Sequence, residues 1–219
     1  MHMSIRLLLS LLSFSLLLAC SPVRVTSTWR SADAIPQAYG KLMVIGVIRE
    51  ADRSLREKME QHLVDDLRAK GYPAFSAYGT FGPKGLEGLN EEQAYAKLRA
   101  EGVDGVLTAV LLDKKKEEYY VPGRREQYIS FRRTFWGYYR NVVESVSTEG
   151  YYQATTRYFW ESNLYDLTKK TLVYSVQTQA TDPESANNMA HRYSQTIIED
   201  MMKKGVLSKA GAEAAAKAY

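Results

Sequence analysis

The chain of 219 residues is 45% hydrophobic and 25% charged, enough apolar material for a packed core and too much for wholesale disorder. Its formal charge of +4 makes the surface mildly basic and by itself selects no partner. One cysteine, Cys20, leaves no internal pair for a disulfide and no thiolate cluster for a metal.

After Arg6 comes an apolar run, Leu7 to Leu18, with only Ser and Phe among the leucines, which is the layout of a secretory signal peptide. The run is too short to cross a bilayer, which takes about 20 apolar residues, and polar Ser21 follows at once. Leu17-Leu18-Ala19-Cys20 resembles a bacterial lipobox, in which a peptidase cuts before the cysteine and the thiol carries diacylglycerol. The expectation is a signal peptide over 1–19 and a lipidated Cys20 that fastens the protein to a membrane. Thiol chemistry is then excluded, because the sole thiol is consumed. Residues 20–36 read as a tether, with Pro22, Pro36 and several hydroxyl residues. Val23, Val25 and Trp29 also suit a short edge strand that would shorten it.

Residues 37–207 read as one α/β domain. Leu42 to Ile48 is a continuous apolar run rich in branched residues, which predicts a strand buried on both faces. Asp52 can cap a helix to about Lys70, with Leu55, Met59, Leu63 and Leu67 along one face and Gly71 beyond its end. Tyr72 to Tyr78 predicts a second strand, and a glycine-spaced loop runs from Gly79 to Gly88. Asn90 and Gln93 form a capping-box pattern ahead of a helix that stops at Gly102. Val103 to Leu112 is a third strand. Tyr151–Asp166 and Thr171–Ala180 predict a long hairpin, with Trp160, Ser162 and Leu164 on one face and Phe159, Glu161 and Asn163 on the other. Asp182-Pro183 predicts the start of a last helix, buried through Ala186, Met189, Tyr193, Ile197 and Met201 and closed by Gly205. The alanine-rich tail 208–219 is too short for a stable helix of its own. The expected fold is therefore a mixed sheet of about five strands, strand-helix-strand-helix-strand and then the hairpin and final helix, with the helices packed on the sheet.

Gly102-Val103-Asp104-Gly105-Val106-Leu107, Asn163-Leu164-Tyr165-Asp166, Leu172-Val173-Tyr174-Ser175 and Ile197-Ile198-Glu199-Asp200 together resemble a group of bacterial envelope lipoproteins whose fold is akin to the amino-terminal domain of TolB. These residues are structural, so the resemblance implies a fold. By analogy it implies work through binding other proteins during envelope assembly, secretion or regulation of wall synthesis.

No catalytic, metal or cofactor motif stands out. Gly79, Gly82, Gly85 and Gly88 with Lys84 precede a helix start, where backbone N–H groups could meet a phosphate, but the spacing fits neither dinucleotide nor P-loop patterns and reads better as a connecting loop. His62 has Glu60, Asp65 and Asp66 nearby in sequence, yet neither it nor His191 has partners at ligand spacing. Asp65-Asp66 and Glu91-Glu92 are adjacent on helices and point apart, as solvated faces do. No cofactor is expected, and secretion removes nucleic acid as a partner.

The segment 114–150 is the chain's most individual part. Lys114 to Arg140 holds eight Lys or Arg against three Glu. Within it Tyr128, Phe131, Arg132, Arg133, Phe135, Trp136, Tyr138, Tyr139 and Arg140 form a candidate interaction surface. An envelope protein partner, a glycan and lipid headgroups are the partners this composition suits, against the plain alternative that the residues pack on an extension of the strands. The reading is a non-enzymatic, lipid-anchored module on the periplasmic face of the outer membrane. The competing reading is a wall-active or other periplasmic enzyme whose site assembles only in three dimensions.

Overall fold

The computed structural model describes residues 23–36, 38–48, 53–121 and 151–208. They divide into two compact units: one runs to Lys114 and resumes at Arg157, and the other lies within Lys115–Thr156. In chain order the elements are β1 (Val23–Arg30), β2 (Leu42–Val47), α1 (Arg53–Ala69), β3 (Ala74–Ser76), α2 (Ala77–Phe81), α3 (Glu91–Ala100), β4 (Gly105–Val121), β5 (Tyr151–Asp166), β6 (Thr171–Thr181) and α4 (Ala186–Lys203).

The strands make one mixed sheet in the order β1-β6-β5-β4-β2-β3. β2 pairs in parallel with β3 and β4, while β6 is antiparallel to β1 and β5. This is the α/β arrangement that the alternation of patterns predicts, with six strands among the described residues in place of about five. The additional strand is β1, inside the expected tether. Val23 stands opposite Ala180 and is 2% exposed, so the chain is already docked on the sheet three residues after Cys20. A bulge between Val25 and Ser27 shifts the register along β1.

Side-chain alternation decides which face each helix covers. Val44, Leu107, Trp160 and Val176 point to the face packed by Leu55, Met59, Leu63 and Leu67 of α1 and by Met189, Tyr193, Ile197 and Met201 of α4. Met43 and Val106, one residue out of step, point to the other face and meet Ala77 of α2 and Leu98 of α3. β2 is thus buried on both sides at Met43 and Val44. Ile45 is only partly buried.

Local signals set several boundaries. Asn90 and Gln93 exchange the two hydrogen bonds of a capping box at the start of α3. Two expectations need correction. The strand expected over Tyr72–Tyr78 shrinks to Ala74–Ser76, because Ser76 Oγ accepts from Gly79 N and starts the short α2. The last helix begins at Ala186 under a Ser185 cap, not at Pro183, since Asp182 sits at φ 43° in a left-handed turn.

Candidate functional site

β2 and β3 are adjacent and parallel, and from their carboxyl ends the chain departs to opposite faces of the sheet, by α1 on one side and α2 on the other. The two departures leave a crevice between the strand ends. Here a carboxylate of the chain itself fills it. Glu60 Oε1 accepts from Gly46 N at 2.8 Å and from Arg56 Nε at 3.1 Å. Its Oε2 accepts from Ser76 Oγ at 2.6 Å and from Tyr78 N at 2.7 Å. The residue is 0% exposed, so the charge is held by four donors, one of them cationic, and reaches no solvent.

The sequence around the crevice is fitted to this carboxylate. A Cβ on Gly46 would lie 2.9 Å from Arg56 Cγ and 3.1 Å from Glu60 Oε1, so the close approach requires glycine. Arg56 also donates from Nη1 to the Pro83 carbonyl at 2.9 Å, and its guanidinium lies 5.5 Å from the Tyr78 ring centroid. Where the glycine-spaced segment begins, the amides nearest the crevice are already used: Tyr78 N, just before it, by Glu60 and Gly79 N by Ser76 Oγ. The expected connecting loop is thus tied down at its start. In sequence Glu60 belonged with His62 as a nearby acid; in three dimensions its carboxylate is fully engaged elsewhere.

The two histidines do meet, across α1 and α4, with ring centroids 5.5 Å apart. His62 Nε2 is 2.9 Å from Asn187 Oδ1. Among the described residues no group of three or more His, Cys, Asp or Glu side chains could hold a metal ion.

A cavity of about 270 Å³ lies beside the β5–β6 turn, lined among others by Ser31, Asp33, Ile35, Asp166 and Lys169. It is smaller than the roughly 300 Å³ at which clefts for drug-sized ligands begin. Asp166 Oδ1 accepts from the amides of Thr168 and Lys169 at 2.8 and 3.0 Å, and its Oδ2 lies 3.5 Å from Lys169 Nζ. Asp166 is therefore engaged in holding the turn. Among the described residues the hydroxyl of buried Tyr39 has no hydrogen-bond partner, and its pKa is raised by burial and then by the Asp166 charge.

Cys20 and the candidate surface Tyr128, Phe131, Arg132, Arg133, Phe135, Trp136, Tyr138, Tyr139 and Arg140 lie outside the described residues. The segments that flank the surface are strand: β4 runs on to Val121 and β5 starts at Tyr151. In this unit the Tyr120 and Tyr152 rings are 5.2 Å apart, and both side chains are exposed. Among the described residues no helix is long and apolar enough to cross a membrane.

No known protein family matches the chain, and no curated protein does. Among solved structures the chain is similar to a PelC variant from Paraburkholderia phytofirmans, with 13% identity, a TM-score of 0.43, 84% of this chain covered and 96% of that one. It is also similar to lipoprotein GNA1162 from Neisseria meningitidis, with 12% identity, a TM-score of 0.42 and coverage of 74% and 96%. A neuraminyllactose-binding hemagglutinin homologue from Helicobacter pylori gives 12% identity, a TM-score of 0.39 and coverage of 86% and 96%. Likenesses this faint assign the chain to no family.

Proposed function

We propose that the chain is a lipid-anchored, non-enzymatic binding or assembly module of the bacterial envelope, held on the periplasmic face of the outer membrane through Cys20. The observation that carries this reading is Leu17-Leu18-Ala19-Cys20: the only thiol in 219 residues stands at the end of an apolar run, at the position a lipobox requires. Ser21, in place of an aspartate, favours the outer membrane. The non-enzymatic part is supported by Glu60, a buried carboxylate whose oxygens are taken up by four donors of the chain itself and are not turned toward a ligand. The aromatic and basic residues from Tyr128 to Arg140 supply the surface for an envelope protein partner, and the resemblance to TolB-like lipoproteins points the same way.

Cell fractionation of Cys20→Ser tests the anchor. The variant with its signal peptide removed is expected to leave the membrane fraction with its fold intact. Retention on the membrane at high salt would overturn lipid anchoring.

A further inference from the structure

Only Ser21 and Pro22 separate Cys20 from β1, so the Cα atoms of Cys20 and Val23 are at most about 11 Å apart. Val23 is not free to drift, since it is buried opposite Ala180. A lipid on Cys20 therefore holds the start of β1 at the headgroup layer, which is itself roughly 5–8 Å deep.

Among the described residues β1 is an edge of the sheet, and its residues suit that position. Val25 is 37% exposed and Trp29 50%, and Ile35 in the following loop is 65% exposed. Tryptophan favours the boundary between hydrocarbon and water. Arg24 donates to Gln179 Oε1 at 2.8 Å and Arg30 to the Ala34 carbonyl, so among the described residues the acceptors of both guanidiniums are neutral oxygens. Asp33 is the one acid of 23–36, which leaves this stretch net positive.

We propose that the outer edge of β1, with Trp29, Ile35, Arg24 and Arg30, lies against anionic phospholipid headgroups, so that the sheet stands on this edge. The inference rests on the lipid anchor proposed above. It turns that anchor from a loose leash into a device that sets the domain's orientation, with β3 at the far edge of the sheet.

The test uses the full-length acylated protein in vesicles of phosphatidylethanolamine and phosphatidylglycerol doped with a headgroup nitroxide lipid. Acylation leaves an introduced thiol as the only one, so a fluorophore is placed at Ile35→Cys, Leu112→Cys or Leu89→Cys in turn. Ile35 follows β1, Leu112 lies on β4, and Leu89 lies just ahead of α3 on the far side. Quenching is expected to be several-fold stronger at position 35 than at 89 and stronger than at 112, and to weaken when Arg24→Gln and Arg30→Gln are combined. Equal quenching at all three positions, or the strongest at 112, would overturn the proposal. So would self-quenching between copies at position 35 that the nitroxide lipid does not affect, which would assign the edge to a second copy. An intact mass without diacylglycerol overturns the anchor and this orientation together, whereas a diacylated protein unquenched at position 35 overturns the orientation alone.

Discussion

The Tyr174 hydroxyl donates to Asp200 Oδ2 at 2.6 Å, and because Thr28 Oγ1 donates to the same oxygen at 2.8 Å, one carboxylate of α4 holds both β6 and the edge strand β1. Asp200→Ala should strand the buried tyrosine hydroxyl and release Thr28, at a cost of about 2 kcal/mol. Hydrogen exchange locates the effect: the amides of β1 are expected to exchange faster before those of β2 do. Unchanged protection in β1 would mean that Val23 and the strand ladder suffice to hold it.

Burial raises the pKa of Tyr39, Tyr174 and Tyr193; the Asp166 charge adds to this for Tyr39, and the hydrogen bond to Asp200 for Tyr174. In the unfolded chain these phenols titrate near 10, so above that pH the folded state holds more protons than the unfolded one. Stability from these groups is fully present below pH 10 and falls as pH rises beyond it. The expected alkaline titration is biphasic: exposed tyrosines ionise reversibly, and these three ionise together with loss of near-ultraviolet dichroism. A single smooth titration with the dichroism retained would contradict the burial.

Glu60 offers a sharper test of internal wiring. Removing its side chain as Ala would leave Gly46 N, Tyr78 N and Ser76 Oγ without their acceptor inside the protein, a loss of about 3–5 kcal/mol. Glu60→Gln keeps an acceptor but sets an NH2 group against other donors, so an intermediate loss is expected. Urea unfolding of both variants measures it. A midpoint for Glu60→Ala equal to wild type would show that the crevice does not depend on this carboxylate.

Val44→Asp should prevent folding, because the carboxylate would be forced into the fully buried centre of the sheet under α1 and α4 without a partner. Ile45, its neighbour, is only partly buried, so the same change there is expected to be milder. Soluble expression and thermal melts compare the two. A cooperative melt of Val44→Asp near that of wild type would remove β2 from the core.

What could be read from the sequence was whatever is encoded locally. The apolar run of β2, the Asn90–Gln93 capping box and the hairpin strands on either side of Leu167–Lys170 each carry their signal within a few residues. β1 was harder: its apolar spacing is interrupted by the bulge after Val25, and its pairing partner β6 lies about 150 residues away, as with Val23 and Ala180. Glu60 gave no sign of its role, because on a helix it looks like one more solvated acid and its donors come from β2, β3 and α2. The meeting of His62 and His191 likewise depends on how two distant helices pack.

The candidate interaction surface yields the last prediction. The connection between β4 and β5 is far longer than the two to five residues that a hairpin requires, and long connections persist mainly where they are functional or disordered. Its composition differs from that of disordered linkers, which are poor in aromatic residues. Phe131, Phe135, Trp136, Tyr138 and Tyr139 would be costly to leave in water, and Arg132, Arg133 and Arg140 among them let cation and ring act together on an acidic or amphipathic target. Replacing Arg133, Phe135 and Trp136 together by Ala should therefore weaken capture of the partner or of lipid. Stability should stay within about 1 kcal/mol of wild type, as for exposed sites. Crosslinking in cells, with the partner identified from the wild-type protein, measures the first effect and chemical denaturation the second. A large loss of stability with binding per folded molecule unchanged would assign these residues to the core.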